Sequence, residues 1–152
     1  MKLYEQIEEI IAMAADFHGR LGRFYERLTD EVEKERVAML LEYLSRHEKR
    51  LHEGLRRYAM EEGQKNSETW KQFVIGEEGL SLKGLEPSAD MTVDELVEMV
   101  MEVNDRLLSF YRETADSASM TPRVREMFLQ LAEQQEHEKE KLVQSAEQIK
   151  KI

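Results

Sequence analysis

A chain of 152 residues is long enough for one domain with a real apolar core, and 41% hydrophobic against 36% charged residues suits helices with one apolar stripe and a solvated remainder. The formal net charge is −10 and the pI about 5.0; with no local basic stripe visible in the sequence, nucleic acid and anionic membrane are excluded as expected partners. Cysteine is absent, so disulfides and thiolate-bound metals are excluded as well.

The first helix is predicted over about 3–30, with apolar residues at Ile7, Ile10, Ile11, Ala14, Leu21, Tyr25 and Leu28. Its opening, MKLYEQIEEI, has glutamates where a secretory signal needs an apolar run. No stretch of the chain approaches the ~20 apolar residues that span a bilayer. A cytoplasmic protein is the expectation. The second helix is predicted over about 34–62, on Val37, Leu40, Leu41, Leu44, Leu51, Leu55 and Tyr58. The join around Glu31 to Glu35 carries no strong breaker.

A connection of about 30 residues follows, from Gly63 to Met91, which is long for a compact domain. It holds four glycines and Pro87. Such a link fits a crossover that climbs the length of a bundle. Within it, Thr69 to Ile75 reads as a short element covering one end of the core, or as a partner or dimer surface. The third helix, about 92–114, opens on Thr92-Val93-Asp94-Glu95, a capping box in which threonine and glutamate satisfy each other's amides. Its stripe is Leu96, Val97, Val100, Val103, Leu107 and Tyr111. The fourth, about 122–150, opens on Thr121-Pro122, a capping threonine with proline at the first helical position. Its stripe is Met127, Phe128, Leu131, Leu142, Ala146 and Ile149. The fold class is therefore all-α, a four-helix bundle over 1–152.

The two halves repeat. Phe24-Tyr25 recurs as Phe110-Tyr111, and Leu44 to Leu55 matches Leu131 to Leu142 at almost the same offset. Two duplicated helical hairpins joined by a crossover result.

Winding each helix at about 100° per residue places five polar residues on the apolar faces. They are His18, Glu48, Asn104, Gln135 and Glu138. A core holds such groups only when they bond each other, water or a metal. His47 and His52 flank the second helix's stripe, and His137 turns away from the fourth. Glu48…His52 and Glu133…His137 therefore imitate ligand pairs without facing one centre.

The duplicated Phe-Tyr, acidic turn and leucine-rich helix resemble the rubrerythrin-like branch of the ferritin-like superfamily over nearly the whole chain outside the crossover. The resemblance implies a ferritin-like bundle, pairing as a homodimer, with a di-iron site of one glutamate on each of two helices and Glu-x-x-His on the others. The lone glutamates, seven residues before each tyrosine, fall here on His18 and Asn104. The Glu-x-x-His positions fall on Glu48 and Leu51, and on Gln135 and Glu138. Only Glu48 keeps the family's residue, so oxygen activation is not expected. Two readings stay open. One is a hydrogen-bonded remnant in a non-catalytic bundle that acts on an unknown protein partner. The other is a remodelled site holding one iron, manganese or zinc ion on His18, Glu48 and Glu138, with Asn104 or Gln135 as weaker ligands. That second reading makes the chain a metal-binding oxidoreductase or metal-handling protein.

Overall fold

The structure, a computed structural model, describes residues 2–62, 80–117 and 121–152. Among them are four α-helices and no strand: α1 (Lys2–Glu31), α2 (Glu35–Glu62), α3 (Val93–Ala115) and α4 (Pro122–Lys150). Each end lies within one residue of the bounds expected from the sequence. The segment Thr69 to Ile75 lies outside the described residues. The chain divides into two compact units, Met1–Arg27 with Leu41–Ser81, and Leu28–Leu40 with Leu82–Ile152.

In the first unit α1 and α2 run antiparallel. The imidazole of His52 donates from Nδ1 to the Ala15 carbonyl (2.6 Å), and the Ser45 hydroxyl donates to the Gly22 carbonyl (3.0 Å). These two contacts run in opposite order along the two helices. Glycines allow the approach. A Cβ at Gly19 would lie 2.9 Å from His52 Nδ1, and one at Gly22 would lie 3.1 Å from Lys49 Cγ. Ile11, Ala14, Leu21 and Tyr25 are buried as the stripe requires, while Ile7 and Ile10 are half-buried. Met13, Ala15 and Phe17 are buried too, so α1 hides more than one stripe. On α2, Leu41 and Leu44 are buried, whereas Leu51 and Leu55 are half-exposed.

The second unit is built on α3 and α4, again antiparallel: Asp94 pairs with Lys150 (2.6 Å), Asp105 with Lys139 (2.7 Å) and Asp116 with Arg125 (3.4 Å). The capping box forms as expected. Glu95 N–H donates to Thr92 Oγ1 (3.1 Å), and Thr92 N–H donates to the Glu95 carboxylate (2.8 Å). Thr121 caps α4 by accepting from Val124 N–H (3.4 Å), with Pro122 in the first turn. Leu96, Val100, Val103, Leu107 and Tyr111 of α3 face the core, joined by Met99 and Leu108. On α4 the buried face is Phe128, Ala132, Leu142 and Ala146, while Met127, Leu131 and Ile149 are half-buried.

The corner between α1 and α2 also belongs to this unit. Glu33 N–H donates to the Ala89 carbonyl (2.8 Å) and Lys34 Nζ to the Asp90 carbonyl (2.5 Å). Contacts distant in sequence hold the corner, which is why no local breaker marks it. Gly84, at φ +84°, supplies a positive-φ turn in the segment that brings Ala89 there.

The glycines give a paired prediction. Gly54 is exposed on α2 with nothing within 4 Å of a built Cβ, so Gly54→Ala gains about 0.5–1 kcal/mol from helix propensity and unfolded-chain entropy. Gly19→Ala gains the same but must push His52 off the Ala15 carbonyl. In urea denaturation Gly19→Ala therefore falls below Gly54→Ala by about 1 kcal/mol or more. Equal stabilities would contradict the close approach at Gly19.

Candidate functional site

All five polar residues placed on apolar faces by the sequence are buried: His18 is 1% exposed, Glu48 4%, Asn104 4%, Gln135 4% and Glu138 9%. Four of them form two direct pairs, one in each unit. In the first unit His18 Nδ1 donates to Glu48 Oε1 at 2.5 Å. In the second, Gln135 Nε2 donates to Asn104 Oδ1 at 2.7 Å.

The pairs occupy matching positions. His18 and Asn104 each stand seven residues before a tyrosine, Tyr25 and Tyr111, and both tyrosines are buried. Glu48 and Gln135 are the repeat-related partners on the second helix of each hairpin. The sequence leads one to expect His18 and Asn104 to donate to the two glutamates, with Gln135 bridging. The structure shows the Gln135 amide donating to Asn104 Oδ1 across the α3–α4 seam. Phe24 and Phe110 are likewise matched, each half-buried with its ring 5.7 Å or 5.8 Å from the neighbouring tyrosine ring.

Tyr25 shares the first unit's interior. Burial pushes its phenol well above the ordinary tyrosine value, and the negative Glu48 carboxylate pushes in the same direction. The remaining histidines do different work. His47 stacks on Tyr43 with ring centroids 6.1 Å apart, and His52 bonds the α1 backbone as described. His137 is exposed and 3.9 Å from Glu140. Among the described residues, no group of three or more His, Asp or Glu side chains is arranged to hold a metal ion.

The outer face of α2 carries exposed charge. Arg46, Arg50 and Arg57 are exposed and fall within about 40° of one another on the helix. None makes an ion pair or hydrogen bond among the described residues. Arg106, Arg112 and Arg125 of the second unit are all paired, with Glu102, Glu136 and Asp116. Glu42 and Glu53 are exposed on the same arc, so the face is of mixed charge, while Glu48 points inward.

No known protein family, curated protein or solved structure matches the chain.

Two predictions follow from the pairs and from Tyr25. Glu48→Leu leaves a buried imidazole without its acceptor and costs about 1–3 kcal/mol. The double change His18→Leu/Glu48→Leu costs less than the two singles added, with a coupling of about 1–3 kcal/mol in a denaturation cycle; strict additivity would mean the bond contributes nothing. For Tyr25, the raised folded value makes its contribution complete below about 10, the unfolded phenol's value, and lost as pH climbs above it. Tyr25→Phe should remove that part of the alkaline fall in stability. An unchanged slope above pH 10 would mean another group carries it.

Proposed function

We propose that this chain is a ferritin-like, rubrerythrin-like bundle protein whose di-iron positions have become hydrogen-bonded pairs, and that it is a non-catalytic protein acting through protein contacts. The observation that carries this reading is the equivalence of the two pairs. His18–Glu48 and Asn104–Gln135 stand at repeat-related positions, and each is closed on itself by a short direct bond.

A di-iron centre does not fit the groups present. It needs bridging carboxylates to offset two cations, and this chain has Asn104, Gln135 and Leu51 at three of the positions the family uses for ligands. The Asn104–Gln135 pair is neutral, and neither amide is a good ligand for iron. Its loss as a metal site leaves a core that needs only internal bonding. With the interior so used, the remaining chemistry is on the surface, where 36% of residues are charged. Protein recognition, with the homodimer implied by the family resemblance as one form of it, is the function class this supports.

The second reading, a metal-binding oxidoreductase or metal-handling protein with one iron, manganese or zinc ion, has one observation in its favour. His18 and Glu48 are a buried imidazole and carboxylate in contact, and both are metal-ligand types. Elemental analysis of protein purified without an affinity metal column separates the two. The expected result is metal well below one equivalent under every supply, and melting curves that coincide with and without chelator. Near-stoichiometric metal that disappears in Glu48→Gln would overturn the proposal in favour of the second reading.

A further inference from the structure

We infer that the far end of the first hairpin, Ile7–Ala12 of α1 with Glu53–Arg57 of α2, opens as one unit, and that the His52–Ala15 hydrogen bond is the latch that stops the opening short of the buried His18–Glu48 pair. All these residues lie within the first unit. Full burial along α2 ends at Glu48. From Lys49 to Arg57 every residue is half-buried or exposed, although Leu51 and Leu55 continue the apolar stripe. On α1, Ile7, Glu8, Glu9 and Ile10 are half-buried, whereas Ile11 and Met13 to Ala15 are fully buried.

Three features weaken this end. Gly54 stands inside α2 with nothing within 4 Å of a built Cβ. No close approach requires a glycine there, and the helix gives up propensity. The last turn of α2 has no basic residue to offset the helix dipole. On α1, Glu8 Oε2 is shut away from water without a hydrogen-bond partner among the described residues. A carboxylate oxygen held in that way disfavours the closed state, and opening returns it to water.

Beside that end the hairpin is firm. His52 Nδ1 donates to the Ala15 carbonyl at 2.6 Å, and its ring lies against Gly19, where a Cβ would come within 2.9 Å of Nδ1. The antiparallel offset that brings His52 to Ala15 and Ser45 to Gly22 sets Leu55 opposite Ala12. The weak stretches of the two helices therefore face each other. When Glu53–Arg57 turns away, Ile10 and Ala12 lose the helix opposite them, so the two stretches open together. Such an opening costs less than global unfolding because it exposes little buried surface. It uncovers Ile7, Ile10, Ile11 and Leu55, while Glu48, one turn before the latch on α2, stays paired with His18.

The experiment is native-state hydrogen exchange of the full chain, read amide by amide by NMR at urea concentrations below the unfolding transition. The amides of Ile7–Ala12 and Glu53–Arg57 should share one protection factor, at least about tenfold below that of Leu41–Glu48, and respond little to urea. Gly54→Ala should slow exchange in both stretches by about two- to fivefold, including the one on α1 where nothing was changed. Glu8→Met should slow both by at least about fivefold. His52→Leu should quicken both and carry fast exchange to Lys49 and Arg50, and His52→Ala removes the same bond should leucine not fit against Gly19.

Protection in the two stretches equal to that of Leu41–Glu48 would overturn the inference, as would a urea dependence as steep as that of α3. Either result means that this end opens only with the whole chain. A Gly54→Ala chain in which Glu53–Arg57 slows and Ile7–Ala12 does not would also overturn it, because the two helix ends would then fray independently. Exchange at Lys49 and Arg50 that matches the parent in both His52 variants would remove the latch and the inference with it.

Discussion

A buried imidazole and a buried carboxylate each lose several kcal/mol of hydration when the chain folds, and among the described residues His18 and Glu48 recover it from each other. That requirement constrains α1 and α2 more tightly than their apolar contacts do. A slip of one residue turns a helical side chain by about 100°, which would carry Glu48 off the seam and leave His18 without an acceptor. Leucines tolerate such a slip at a smaller cost, because any apolar neighbour will do. The close approach at Gly19 and Gly22 lies beside His18 on α1, so backbone proximity and side-chain pairing select the same register. In the other unit the Asn104–Gln135 bond imposes the equivalent condition on α3 and α4 with neutral groups and a smaller desolvation cost.

Much of this was legible in the sequence because it depends on local rules. The Thr92–Glu95 capping box, the Thr121-Pro122 start and the buried placement of His18, Glu48, Asn104, Gln135 and Glu138 follow from short-range chemistry and a 100° winding. What escaped depends on partners elsewhere in the chain. Phe17 and Met13 lie off the single stripe drawn for α1, yet both are buried. The α1–α2 corner is tied by Glu33 to Ala89, far along the chain. Winding also identifies which polar groups face inward but not which pairs form, and the Gln135–Asn104 bond is of that kind.

The two pairs occupy equivalent places but are chemically unlike, and the difference bears on what a helical hairpin of this kind can do. His18 and Glu48 retain proton-transfer and ligand character, with the Tyr25 phenol held in its neutral form nearby by burial and by the Glu48 charge. Asn104 and Gln135 have neither property. The second hairpin also buries the Glu138 carboxylate on α4, so its polar interior is not amide alone. Polar positions in the two halves have thus converged on the same structural solution, a closed bond, from residue types of different reactivity.

With the described polar interior bonded internally, the exposed charges lie on the outside of the helices. Exposed ion pairs inside one chain contribute little, about 0–1 kcal/mol each, so the pairings of α3 and α4 add little to stability. The exposed charge of α2 is of the same modest value, because Glu42 and Glu53 stand on the same arc as Arg46, Arg50 and Arg57 and balance most of it.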